Sequence, residues 1–175
     1  MKITKKMLDL ISELTKNAKK SDRDIAKKLN ISQPTVTRMR KKLEDKGYIL
    51  EYTTVLDIKK LGFEIIAFTF FKTKKIGGKK VGDKAHDIIT QHPKIVFAGF
   101  GHGLSGQNCS LVSIHKDFTD YTKFLNETKK KWCNNISDVG SFLVSVKSFS
   151  PKFLSFRDVG KLIKDSQIQE LKNNP

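Results

Sequence analysis

The stretch "SDRDIAKKLNISQPTVTRMRKKLEDKG" (residues 21–47) constrains the fold of this chain more than any other, because it holds two helix starts and two helix stops in one short run. Ser21 is placed to accept the amide of Asp24, with Asp24 able to reach back, a short capping box. Ile25 and Leu29 follow at helical spacing and face inward. "NIS" (30–32) is a tight turn in which Asn30 tolerates the left-handed conformation. Ser32 then caps a helix over 33–46. Pro34 sits in its first turn, where its missing N–H has no intrahelical partner to lose, and Gly47 ends it as the C′ residue. Upstream, Met7, Leu8, Leu10, Ile11 and Leu14 predict a helix over 4–17, capped by Thr4. Three helices with a tight turn between the last two make a helix-turn-helix layout.

The third helix has two distinct faces. Val36, Met39 and Leu43 share one, and it must pack on the first two helices. The opposite face carries Arg38, Lys41 and Asp45, flanked by Thr37 and Lys42. Entering a major groove by its N-terminus, such a helix offers Gln33, Thr35, Thr37 and Arg38 to base edges. Arg40, Lys41 and Lys42 then lie near phosphates, where they add affinity without sequence information. A solvated face on an ordinary three-helix bundle is the plainer reading, but four cations clustered behind two capped helices favour double-stranded DNA. After Gly47, "YILEYTTVLDI" is β-branched and alternating, which predicts a short hairpin turning at Glu51 and Tyr52. That makes residues 1–56 a winged helix-turn-helix domain, with 57–62 as the linker out of it.

Charge agrees with this reading. Lys and Arg number 34 against 18 Asp and Glu, a net of +16, and residues 1–60 alone hold 16 basic and 8 acidic groups. Such a field attracts polyanions, although a lysine-rich host would spread positive charge over any protein. No apolar run is long enough to span a membrane. "MKITKKMLDL" lacks the apolar core of a secretory signal. Cys109 and Cys133 are too few for a disulfide framework and suit small, partly buried hydrophobes in a reducing compartment. A cytoplasmic chain without membrane attachment is expected.

From residue 63 the periodicity changes. Strands are predicted over 63–73, 94–100, 107–115 and 139–149, with helices over 79–91 and 118–132. The β-α-β-β-α-β order over 63–150 is ferredoxin-like, so the whole is an α+β chain of two domains, followed by an extension over 151–175. The second helix is expected to bury Phe118, Tyr121, Leu125, Thr128 and Trp132. The first strand is apolar on both faces: Phe63, Ile65, Ala67 and Phe71 against Ile66, Phe68 and Phe70. Two helices cover one face of a four-stranded sheet, so the other face needs a second subunit or the apolar tail "PKFLSFRDVGKLI" (151–163).

"GFGHGLSGQNC" (99–109) matches the G-x-G-x-x-G pattern of nucleotide loops. A phosphate loop must open a helix, yet "QNCSLVSIH" reads as a strand, so the glycines join two antiparallel strands. No carboxylate is near to orient His102 for nucleophilic chemistry, and no catalytic residue is assigned. No cofactor is expected, and no metal site, because the four histidines lack ligand spacing. The loop's glycines let the backbone approach a partner chain or a ligand, which makes Gly101, His102, Gly103, Ser105, Gly106, Gln107 and Asn108 the candidate effector or subunit contacts.

A capped helix-turn-helix, a short wing, an "LGF" linker (61–63) and a βαββαβ domain resemble the Lrp/AsnC family of transcription regulators over roughly residues 5–149. Residues 8–53 carry the best local match, through the recognition helix and its "KLEDKGYI" exit. The lysine-rich tone is similar to that of archaeal members. The resemblance implies a sequence-specific DNA-binding regulator, dimeric or higher, whose second (RAM) domain binds a small-molecule effector such as an amino acid. The family carries G-D-[FYW]-D in the loop between the second and third strands of that domain; here Gly106, Gln107, Asn108 and Cys109 stand there. The architecture also looks like that of siroheme decarboxylases, which would recruit His102 and His115 for a tetrapyrrole. A third reading is an effector-sensing adaptor that binds DNA weakly.

Overall fold

In the computed structural model the described residues are 3–73, 89, 91–132, 135–148 and 155–163. The helix expected over 79–91 falls mostly outside them, although 89 and 91 are helical, and Cys133 also lies outside. The chain divides into two compact units. Met1–Val55 groups with Lys152–Pro175, and Leu56–Pro151 forms the other.

In the first unit, helices α1 (Lys5–Lys16), α2 (Asp22–Leu29) and α3 (Gln33–Asp45) form where local chemistry dictates. Thr4, Ser21 and Ser32 are the N-caps, each accepting the backbone amide three residues on. The capping box at Ser21 closes differently from expectation: Asp24 reaches back to the Ser21 hydroxyl at 2.6 Å rather than to its amide. Asn30 and Gly47 take positive φ, 52° and 69°, and stop α2 and α3. Leu10, Ile25, Val36 and Leu43 have no exposed surface, and Met7, Leu14 and Ala26 close the core around them. Each large aliphatic side chain so buried stabilises the unit by roughly 1.5–3 kcal/mol. Met39 and Leu29 are only partly buried at its edge.

The hairpin expected at Glu51 and Tyr52 is not formed; residues 49–57 carry no strand pairing. Side chains tie this segment down instead. The Arg40 guanidinium lies 5.7 Å from the Tyr52 ring centre, and the Tyr52 hydroxyl donates to Glu44 at 2.6 Å. A hairpin this short has too little burial of its own to persist. The tail also differs from one expectation. Within this unit residues 159–163 are helical, and Gly160 is buried against Ser12 and Thr15 of α1.

The second unit is a four-stranded antiparallel sheet in the order β2-β3-β1-β4, with β1 (Ile65–Thr73), β2 (Ile95–Phe100), β3 (Cys109–His115) and β4 (Ile136–Ser145). Together with helix α4 (Phe118–Trp132) this is the expected α+β, ferredoxin-like order among the described residues. Ala67 pairs with Ser113 and Thr69 with Leu111, which sets these buried side chains on the face that α4 covers. On α4 the inward line passes through Tyr121 and Phe124, 5% and 4% exposed, rather than through Phe118 and Leu125. His115 explains the offset: its buried ring packs between Tyr121 and Phe124, at 5.4 and 5.0 Å. The opposite face presents Ile66, Phe68 and Phe70 beside Val144, Phe142 and Gly140. Phe142 is 68% exposed there.

Candidate nucleic-acid interface

α3 lies across α2 on the buried line of Val36 and Leu43, and this sets which side chains it displays. Gln33, Arg38, Lys41 and Lys42 are exposed and, among the described residues, have no ion-pair or side-chain hydrogen-bond partner. An unpaired cation on a helix face is free to meet a phosphate or a base edge without first breaking a bond. Thr35 is half-buried, and its hydroxyl lies 2.8 Å from that of Ser32, within the cap.

Thr37 and Arg40 depart from the sequence expectation, because both are held by Asp22 in the first turn of α2. Thr37 donates to Asp22 Oδ2 at 2.7 Å. Arg40 donates from Nε and Nη2 to Asp22 Oδ1 at 2.8 and 2.7 Å, and from Nη2 to the Lys20 carbonyl at 3.4 Å. The two side chains of the ion pair are 17% and 19% exposed. Burial first, and then the bond to Glu44, hold the Tyr52 phenol above its ordinary pKa, so it keeps its proton beneath Arg40. Arg40 is therefore held against its own fold, whereas the sequence expectation has it near phosphates.

Two further cations, both on α2, lie beside the N-terminus of α3. Arg23 and Lys27, one turn apart on the outer side of α2, line a shallow cavity of about 450 Å³ with Asn30, Ile31 and Gln33. They extend the positive surface past the N-terminus of α3. The i, i+4 spacing of these two cations opposite Ile25 was the available signal.

In the second unit the glycine-rich loop joins β2 to β3 through a single 3-10 turn, Leu104–Gly106, and no helix follows it. Gly101, His102, Gly103, Ser105 and Gly106 are exposed. Gln107 and Asn108 are not free, because the fold consumes their amides. Gln107 Nε2 donates to the Asp138 carbonyl at 2.8 Å. Asn108 Oδ1 accepts from the Thr73 amide at 2.8 Å, and its Nδ2 donates to the Thr73 carbonyl at 3.2 Å. β1 and β4 thereby bring the Lys72 ammonium and the Asp138 backbone carbonyl beside a loop that has no charge of its own. His115, the other histidine a tetrapyrrole site would need, has no exposed surface and accepts or donates at Ser113 Oγ, 2.8 Å away. Among the described residues no group of His, Cys, Asp and Glu is arranged for a metal ion, and no helix is long and apolar enough to cross a membrane.

Comparison with known proteins supports the same assignment. A family model described as winged helix-turn-helix DNA-binding matches residues 3–49. The HTH-type transcriptional regulator Ptr1 of Methanocaldococcus jannaschii is 37% identical over 122 residues, 69% of this chain and 77% of that one. LrpC of Bacillus subtilis is 28% identical over 129 residues, 73% of this chain and 85% of its own. The LrpC structure superposes with a TM-score of 0.68 over 87% of this chain and all of that one, at 23% identity. A Neisseria meningitidis regulator in complex with L-Met shares the fold at 16% identity, with a TM-score of 0.70 over 90% of this chain and 99% of that one. With a matched DNA-binding domain and relatives aligned along most of their length, this chain belongs to the Lrp/AsnC family of DNA-binding transcription regulators.

Proposed function

We propose that this regulator recognises a specific operator through the exposed face of α3, with residues 1–56 as the DNA-binding domain. The observation that supports this most directly is the set of unpaired side chains Gln33, Arg38, Lys41 and Lys42 on one helix, flanked by Arg23 and Lys27. Gln33 and Arg38 read base edges; Lys41, Lys42, Arg23 and Lys27 take phosphates. Thr35 and Thr37 help through the cap and through Asp22. Two such helices in a dimer meet successive major grooves about 34 Å apart. Residues 63–150 supply the dimer contact through the open sheet face carrying Phe68 and Phe142. An effector reaches the exposed loop of Gly101, His102, Gly103, Ser105 and Gly106. Lys72 there offers a cation for a ligand's carboxylate, and a relative by fold is known in complex with L-Met.

The test is quantitative binding to duplexes selected from random sequence by the protein itself. Arg38→Ala is expected to weaken the selected duplex by about 1–3 kcal/mol and to relax base preference. Lys41→Ala is expected to weaken all duplexes equally and to flatten the salt dependence by about one unit of slope. Unchanged DNA retention in both variants would rule out α3 as the reading helix.

A further inference from the structure

α2 and α3 are joined by one carboxylate, that of Asp22, which lies in the first turn of α2 but is not its N-cap. Asp22 uses both oxygens across the helix pair: Oδ1 on the Arg40 guanidinium, Oδ2 on the Thr37 hydroxyl. Arg40 is further held by the Lys20 carbonyl on one side and by the Tyr52 ring and hydroxyl on the other. Its neighbours on the same helix, Arg38, Lys41 and Lys42, have nothing comparable. The helix therefore carries four cations, of which one is withheld from any partner outside the fold.

Withholding a cation has a defined consequence for a protein that binds a polyanion. Each arginine free to meet a phosphate adds affinity that is the same for every sequence. A fourth free cation would raise binding to all DNA and dilute the contribution of the base-reading residues. The same carboxylate also fixes the roll of α3 on α2, because Thr37 and Arg40 lie three residues apart, close to one turn. Base edges are read only when side chains arrive in register.

We propose that Asp22 is a positioning and specificity residue for DNA reading: it sets the roll of α3 and keeps Arg40 off the phosphates. The proposal rests on α3 being the reading helix.

The experiment measures affinity against salt concentration for the selected duplex and for a random-sequence duplex, using the full chain. Asp22→Asn removes the charge at nearly constant shape. It is expected to steepen the salt slope by about one unit, as one phosphate contact is gained. Affinity for the random duplex should rise, and the ratio of specific to random binding should fall several-fold. Arg40→Gln in the native background is expected to leave the slope unchanged, and Asp22→Asn with Arg40→Gln is expected to return the slope to the native value. A purely structural Asp22 would lower melting temperature without these movements of slope. An unchanged slope and ratio in a folded Asp22→Asn variant overturns the proposal. So does a slope flattened by about one unit in Arg40→Gln alone, since Arg40 would then be a native phosphate contact; this arm decides the question if Asp22→Asn does not fold. Lys41→Ala run in parallel separates the two levels: if it too leaves the slope unchanged, the reading of α3 fails, not only the role of Asp22.

Discussion

The Glu13 carboxylate, 2% exposed on α1, accepts a hydrogen bond from the Lys28 ammonium of α2 at 2.8 Å. Lys20 and Lys16 approach the same group at 2.8 and 3.0 Å, so one buried anion gathers three cations. Burial works to raise the Glu13 pKa, but the hydrogen bonds from the three lysines outweigh it and hold the group at about 2, below its ordinary 4.5. A carboxylate depressed in the folded state contributes its full stability above pH 4.5 and loses it as pH falls toward 2. The contribution is at most about 3 kcal/mol, because the lysines are themselves partly solvated. Glu13→Gln is expected to lower the melting temperature at neutral pH and to remove most of the acid sensitivity of the N-terminal unit below pH 4.5. Circular dichroism melts at pH 6 and pH 3 check this; identical melting of both proteins at pH 6 would refute it.

Caps and turns were legible in the sequence because their chemistry is local. Ser21, Ser32, Asn30 and Gly47 each act within a few residues, and each does so in the structure. The strand order was legible for a related reason: period-two segments alternate with period-3.6 segments, whatever they pack against. What pattern could not show is competition for a side chain by a distant element. Arg40 and Lys41 are adjacent cations in the sequence, but Asp22, eighteen residues before Arg40, pairs with one, while the other has no ion pair among the described residues. Gln107 looked free until β4 brought the Asp138 carbonyl to it across thirty-one residues. The α4 stripe runs through Phe124 rather than Leu125, and Phe124 packs on His115 of β3, which no pattern within α4 could show.

Gly160 has no room for a side chain. An added Cβ would lie 2.9 Å from the Ser12 Cα and closer still to the Thr15 hydroxyl, so backbone would have to shift. Overpacking of this kind costs about 1–3 kcal/mol. Gly160→Val is therefore expected to detach residues 155–163 from α1 and to speed trypsin cleavage after Arg157 and Lys161. Ser12 beneath it is buried, with no hydrogen-bond partner for its hydroxyl among the described residues. Ser12→Ala should accordingly raise stability, by about 1 kcal/mol, where a structural hydroxyl would show a loss.

His115 gives the second unit its own acid limit. Burial lowers its pKa first, Lys94 and His92 lower it further, and Asp120 opposes them. Asp120 is 3.8 Å from Nδ1 but is itself paired with Lys94. A histidine whose folded pKa lies below its ordinary 6.5 favours the neutral ring, so stability is complete above pH 6.5 and declines as pH falls below it. This window lies above that of Glu13, so the two are separable. His115→Phe is expected to abolish the decline between pH 6.5 and pH 5 in a thermal melt. A decline of the same size in that variant would place the titrating group elsewhere.

Phe142 on β4 is 68% exposed although its cross-strand neighbour is Phe68 and the register places Ile66 and Val144 on the same side. A contiguous exposed apolar face of this kind is where another surface is expected to dock. In the proposed dimer the covering surface is the same face of a second copy, related by a two-fold axis. Phe142→Asp would then place a carboxylate against its own symmetry mate or against the partner's Phe68. Removing an aromatic anchor and burying an unpaired charge at such a centre each cost 2 kcal/mol or more, roughly a thirtyfold weaker association apiece. The variant should elute as a monomer of about 20 kDa in light scattering after gel filtration, with its sheet content unchanged by circular dichroism. Because the two reading helices would no longer be held together, its affinity for a paired half-site should drop toward that for a single half-site, while a duplex carrying one half-site is bound as before. A variant that stays dimeric at micromolar concentration would move the subunit contact away from this face.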